Sequence, residues 1–143
     1  MLAGGYRLRS AVIAPAVTIV ATGVVVPEAL AAADELAVEG IAADVVVLTS
    51  ADLVFRALQA RQGLTDAPTG VLDDLFPGDR TAPIVTVHDG HPHTLAFLAG
   101  VNGTPIACLG VQDFGQSGDV DDLYRHFGID TETVVGACLD LIG

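Results

Sequence analysis

Val17-Thr18-Ile19-Val20-Ala21-Thr22-Gly23, then Pro27 and Glu28-Ala29-Leu30-Ala31-Ala32-Ala33, is the stretch from which the architecture can be worked out. The run from Ala11 to Ala33 holds one charged residue, Glu28, and by hydropathy alone would make a membrane span of the usual ~20 residues. Pro15, Gly23 and Pro27 interrupt it. They leave a strand-sized piece, Val17 to Thr22, and a separate helical piece; a continuous apolar run of strand length is how a strand buried on both faces reads. Pro27 suits a first helical turn, where its missing N–H would be unpaired anyway, and Gly40 suits the position just past the end. Between them Leu30, Ala33, Leu36 and Ala37 share a face while Glu28, Asp34, Glu35 and Glu39 point elsewhere, as a helix covering one side of a sheet requires.

The same alternation continues outward. Val45 to Leu48 reads as a second strand, and Thr49 or Ser50 can cap a helix whose stripe is Ala51, Val54, Phe55 and Leu58 and which Gly63 ends. Leu64 to Arg80, with Pro68, Gly70, Pro77 and Gly78, reads as a surface insertion containing a helical turn at Val71 to Phe76. Ile84 to Val87 and Ile106 to Leu109 are a third and fourth strand, with a short helix at Thr94 to Leu98 between them. Two helices close the chain. One carries the stripe Val120, Leu123, Tyr124 and Phe127 and stops at Gly128; the other carries Val134, Cys138, Leu141 and Ile142, with Asp130 as its cap. Tyr6 to Arg9 alternates and fits an edge strand. The expected fold is therefore α/β, a three-layer α/β/α arrangement around a mostly parallel sheet of about five strands, with an edge strand near the N-terminus and right-handed crossovers. Residues 1–143 are the size of one domain with one core.

Eighteen acidic against six basic residues give a formal charge of -12, which repels phosphate backbones and anionic lipid, so neither nucleic acid nor membrane is an expected partner. Cys108 and Cys138 each sit in an apolar run and read as small buried hydrophobes, which fits a reducing cytoplasm. Met1 to Arg9 has none of the features of a secretory signal.

His88-Asp89-Gly90-His91-Pro92-His93 follows the third strand directly, at the carboxyl end where open α/β sheets place ligands. Three readings are open. The imidazoles and the carboxylate could serve as metal ligands in a small-ligand or metal-binding module. They could form a polar turn in which Asp89 or His91 caps the short helix, or they could line an interface or substrate rim. Asp113-Phe114-Gly115-Gln116-Ser117-Gly118 makes a second turn, leading into a helix at Asp119, whose free N–H groups suit an anion but whose start is already occupied by Asp119, Asp121 and Asp122. There is no G-x-G-x-x-G, no G-x-x-x-x-G-K-[ST], no G-x-S-x-G and no cysteine pair at metal spacing. Asp89, His91, His93, Asp113 and His126 could each act as acid or base, but no spacing pairs two of them.

Read in order, several segments resemble the carboxy-terminal domain of the transketolase superfamily. Gly4-Gly5-Tyr6-Arg7-Leu8 is similar to its entry strand, Val17 to Gly23 with Glu28 to Ala33 to its first strand and helix, and Gly40 to Val45 to its second strand. The most specific match is Leu109-Gly110-Val111-Gln112-Asp113-Phe114-Gly115-Gln116-Ser117-Gly118, continuing through Leu123, Phe127-Gly128-Ile129-Asp130 and Val134-Val135. Within the superfamily, Gly4-Gly5-Tyr6-Arg7-Leu8-Arg9 and Val47-Leu48-Thr49-Ser50 favour the homodimeric decarboxylating component of 2-oxo-acid dehydrogenase complexes, the pyruvate dehydrogenase type, with transketolase as the alternative; His88 to Leu98 matches neither pattern. The resemblance implies a third domain of a larger dimeric enzyme whose thiamine diphosphate and magnesium are held by two other domains. His88-Asp89-Gly90 with Asn102 only imitates the family's diphosphate motif, because the first glycine is replaced and the asparagine comes too soon. No family residue with a catalytic, cofactor or metal role carries over, which leaves His88, Asp89, His91, His93, Asp113 and Ser117 as an interface or substrate rim. An isolated domain of this kind is expected to self-associate through the surface its partners would cover.

Overall fold

The computed structural model describes residues 4–110 and 130–143. Five strands, β1 (Gly5–Arg9), β2 (Val17–Thr22), β3 (Ala43–Leu48), β4 (Ile84–Val87) and β5 (Ile106–Leu109), form one sheet in the order β1-β3-β2-β4-β5. β1 runs antiparallel to β3 and all other pairs are parallel. Every residue of β2, β3 and β4 is buried, the burial expected of apolar runs in a covered parallel sheet. The edge strand β5 is half-buried along its length.

Alternate residues feed two cores. Val17, Ile19, Ala21, Val45, Val85 and Val87 face α1 (Val26–Val38) and the last helix. Val20, Val46, Leu48 and Ile84 face α2 (Ala51–Arg61), α3 (Gly70–Leu75) and the segment from Leu95 to Val101. Helices thus lie on both sides, and the three-layer expectation holds.

α1 ends as its sequence requires. Gly40 has φ +80, and the N–H groups of Gly40 and Ile41 donate to the carbonyls of Ala37 and Leu36, which ties off the last turn. Its inner face is Ala29, Ala32, Ala33 and Leu36, so the expected stripe is rotated: Ala37 is exposed, and Leu30 is only half-buried. α2 is capped by Ser50, whose hydroxyl accepts the Leu53 N–H at 3.3 Å. Its buried residues are Val54, Ala57 and Leu58; Phe55 lies outside that stripe, 40% exposed, with its ring edge-on to Phe97 at 5.1 Å.

Of the segment expected to be a surface insertion, Leu64 to Gly70 does lie at the surface, but the helical turn after it is part of the core. α3 occupies the predicted helical turn, but Val71, Leu72, Leu75 and Phe76 are buried against the second core. After β4 a 3-10 helix, Pro92–Leu98, runs into α4 (Ala99–Asn102), longer than the predicted Thr94–Leu98. The final helix, α5 (Thr131–Ile142), starts at Asp130 and buries Val134 and Cys138 against α1, while Ile142 is 39% exposed. Thr131 ties α5 to α1 by donating to Glu28 at 2.8 Å. Burial pushes the Cys138 thiol up to about 12, so it packs as an apolar group.

One ionic cluster holds the start of the chain in place. Asp44, fully buried in β3, accepts from Arg7, from Arg80 Nε at 2.7 Å and Nη2 at 2.8 Å, and from the Ala11 N–H at 2.7 Å. Arg80 also donates to the carbonyls of Ala11 and Ile13 at 2.9 and 3.0 Å. Arg7 therefore points inward from the edge strand while Tyr6 and Leu8 point out, and an inward charge with a bulge between Arg7 and Arg9 discourages further strand pairing.

Candidate functional site

The connection after β2 leads to β3 on one side and the connection after β4 leads to β5 on the other, so a crevice opens between the carboxyl ends of β2 and β4. Thr22 ends β2 and His88 follows β4. Their side chains meet: Thr22 Oγ1 is 2.6 Å from His88 Nδ1 and 3.4 Å from Asp89 Oδ1, and His88 Nδ1 is 3.5 Å from that oxygen. All three groups are satisfied if His88 Nδ1–H donates to Thr22 and the Thr22 hydroxyl donates to Asp89. Burial holds the His88 pKa below 6.5, and the neighbouring Asp89 carboxylate offsets this only in part.

Three glycines let the turn seat itself in the crevice. Gly23 has φ +56, and a Cβ there would lie 2.7 Å from Asp89 Oδ2; at Gly90 it would lie 2.9 Å from His88 Nε2. At Gly110, just past β5, it would meet the Gly90 carbonyl at 2.5 Å and the Pro92 nitrogen at 2.9 Å. The place where such sheets usually take a ligand is thus occupied by the protein's own turn.

The remaining histidines do something else. His91 caps the 3-10 helix, its Nδ1 accepting the His93 N–H at 3.2 Å, so of the two capping candidates His91 fills the role and Asp89 does not. The His91 and His93 rings stand edge to face, centroids 4.3 Å apart, with Nδ1 atoms 2.5 Å apart. His88 is engaged with Thr22 instead, so the three imidazoles do not converge, and among the described residues no group of three or more His, Cys, Asp or Glu is placed to hold a metal. The reading of His88, His91 and His93 as one metal-ligand set is corrected on that geometry. A groove of about 390 Å³ lies beside His93, lined by Ala51, Asp52, Phe55, Thr94 and Phe97.

Asn102 is structural, donating to the Phe76 carbonyl at 3.0 Å. Asp113, Ser117, His126 and the stripe from Val120 to Phe127 lie outside the described residues. Thr22 was not singled out from sequence, because it reads as the last residue of an apolar strand. Asp44 was missed as well. Only an acidic residue inside a strand otherwise made of Ala, Val and Leu hinted at a buried partner.

The model of the transketolase-like TK C-terminal domain matches residues 4–130. This chain belongs to that family. Its curated relatives include the chromosomal transketolase of Cupriavidus necator, 37% identical over 139 residues that cover 97% of this chain and 18% of the relative. Transketolase 1 of Escherichia coli K12 is 30% identical over 97% of this chain and 19% of its own length. Among solved structures, transketolase from Leishmania mexicana superposes with a TM-score of 0.73 at 26% identity, covering 98% of this chain and 18% of that one. A split-gene transketolase, described as an inactive beta4 tetramer, gives 0.68 at 28% identity, covering 96% of this chain and 41% of that one. The chain thus spans about a fifth of the length of the curated relatives it matches. These relatives are transketolases; they support the transketolase alternative and not the pyruvate dehydrogenase reading that ranked first on sequence. Among the described residues no helix is long and apolar enough to cross a membrane.

Proposed function

We propose that this transketolase-like domain is the carboxy-terminal, third domain of a thiamine-diphosphate-dependent transketolase, where it packs on the other domains, helps hold a dimer and contributes no complete catalytic set. The observation that carries this is coverage: nearly all of the chain aligns with about a fifth of transketolases. The filled crevice supports it. Thiamine diphosphate with its magnesium does not fit the described residues, since Asp89 and His88 close on Thr22 and no three-ligand group stands nearby. The cofactor belongs on neighbouring polypeptide. Calorimetry of the isolated chain with thiamine diphosphate and Mg²⁺ should show no binding, and adding this chain to the remainder of the enzyme should be required for full turnover of a ketose phosphate. Turnover by these 143 residues alone would overturn the reading.

A second reading rests on Gly4-Gly5-Tyr6-Arg7-Leu8-Arg9 and Val47-Leu48-Thr49-Ser50, which resemble the 2-oxo-acid dehydrogenase component. The assembled enzyme separates the two: release of CO₂ from a 2-oxo acid selects the second, and transfer between sugar phosphates selects the first.

A further inference from the structure

We propose that the connector between β1 and β2 is a self-pairing surface, through which Val12 and Ile13 of one copy seat in a groove beside α1 of a second copy. The inference rests on the dimer-supporting role proposed above and names the face that fills it. Val12 is fully exposed and Ile13 is 65% exposed. On a loose loop two such side chains would mean little, but this connector is fastened. The Ala11 N–H donates to Asp44, the carbonyls of Ala11 and Ile13 accept from Arg80, Pro15 is buried, and the Ala16 N–H donates to the Ala42 carbonyl at 2.8 Å. None of these ties uses the side chain of Val12 or Ile13. The backbone is therefore held on both sides of an apolar ridge, and little ordering remains to be done when a partner binds.

Beside the ridge lies a groove of about 480 Å³, walled on its other side by Ala33, Ala37, Gly40 and Ile41. It is open above Gly40, where a Cβ would meet nothing within 4 Å. A ridge and a groove side by side on one face are the two halves of an isologous contact: about a two-fold axis between them, the ridge of each copy enters the groove of the other. Pairing along the edge of β1 is not the route, because the inward Arg7 and the bulge discourage it.

Charge favours the same face. The chain carries -12 with only six basic residues, so two copies repel over most of their surface. Arg7, Arg9 and Arg80 gather at this end, where Asp44 takes two of them and Asp34 takes Arg9 at 2.6 Å, while Asp79 lies close enough to act on Arg80. The connector is thus close to charge balance, and the exposed acids left at the end of α1 are Glu35 and Glu39. Two acidic chains can meet here at less electrostatic cost than elsewhere.

Sedimentation equilibrium of the 143-residue chain over a range of concentrations tests the pairing. A monomer–dimer equilibrium is expected, and it should tighten as NaCl is raised, because salt screens the repulsion and leaves the apolar contact. Val12→Asp should weaken the dimer about 100-fold, since two-fold symmetry places the change in the contact twice at roughly tenfold each. Ala37→Gln, which narrows the groove without adding charge, should weaken it too. Both positions are exposed, so an unchanged circular dichroism spectrum shows that the fold is intact. A parent chain that stays monomeric, a dimer that neither variant weakens, or one that loosens with added salt would each overturn the proposal. A monomeric parent whose assembly with the remainder of the enzyme is lost in Val12→Asp would give this face to a neighbouring domain instead. Ketose turnover on adding the chain to that remainder tests the supporting role separately, so failure of the one is told from failure of the other.

Discussion

At the amino end of the sheet, the carboxylate of Asp44 has no exposure and is held by two guanidinium groups and a backbone N–H; at the carboxyl end, the carboxylate of Asp89 is 44% exposed and holds one hydroxyl at 3.4 Å. The pair shows how one residue type serves two ends of one scaffold. Asp44 is saturated with donors, so it can only fasten the edge strand and the connector at Ala11 and Ile13. Asp89 keeps accepting capacity toward solvent, but its neighbour His88 is turned into the protein. A buried carboxylate is costly unless every lone pair finds a donor, and Asp44 meets that condition.

The largest test is to remove each carboxylate. Asp44→Ala strands two arginines that converge on one point and should cost about 3 kcal/mol in urea unfolding, whereas Asp89→Ala should cost about 0.5 kcal/mol. Similar losses from both would erase the distinction between the ends. Next in size is Gly110→Ala, where a new Cβ meets backbone at 2.5 Å and the turn must shift; a loss of about 2 kcal/mol is expected from the melting curve. An unchanged melting temperature would show that the turn is not seated in the crevice. Thr22→Val keeps the shape of the side chain but removes the partner of His88, for about 1 kcal/mol.

Two pH effects sharpen the contrast. Burial alone would raise the Asp44 carboxyl, but the Arg80 hydrogen bonds, the Ala11 N–H and the charges of Arg7 and Arg80 outweigh it and hold the pKa below 3.8. A depressed carboxyl contributes stability above its unfolded value and loses it as pH falls through the folded one, so the gap between the parent and Asp44→Ala should close below pH 3.8. His88 acts in the same direction, in a higher pH window. Its folded pKa lies below 6.5, so the folded state resists protonation and loses stability as pH falls from 6.5 through the folded value. Imidazole resonances followed by NMR should place His88 below the ordinary histidine range; a titration at or above 6.5 would contradict its burial against Thr22.

Much of the fold could be read before any coordinates, because strands covered on both faces leave unbroken apolar runs and helix ends need particular residues. Pro27, Gly40, Ser50 and Gly63 all sit where local stereochemistry places them. Within Leu64 to Arg80 only the burial of α3 departs from the surface reading, because prolines and glycines advertise a loop, while Val71, Leu72 and Leu75 are too few to form a helical stripe of recognisable length. The internal division of the turn from His88 to His93 was not legible in the sequence: spacing treats three histidines alike, and only packing assigns one to Thr22 and two to each other.

Chain order and local pattern determined the layered α/β class, the strand and helix identities and the family, since hydrophobic period, caps and turns depend on near neighbours. The fold alone decided that Asp44 meets Arg80, 36 residues away, and that Thr22 meets His88, 66 residues away. Partners at such separations leave no trace in local periodicity. They are set by which strands lie side by side, and strand order is fixed by the burial of both sheet faces at once.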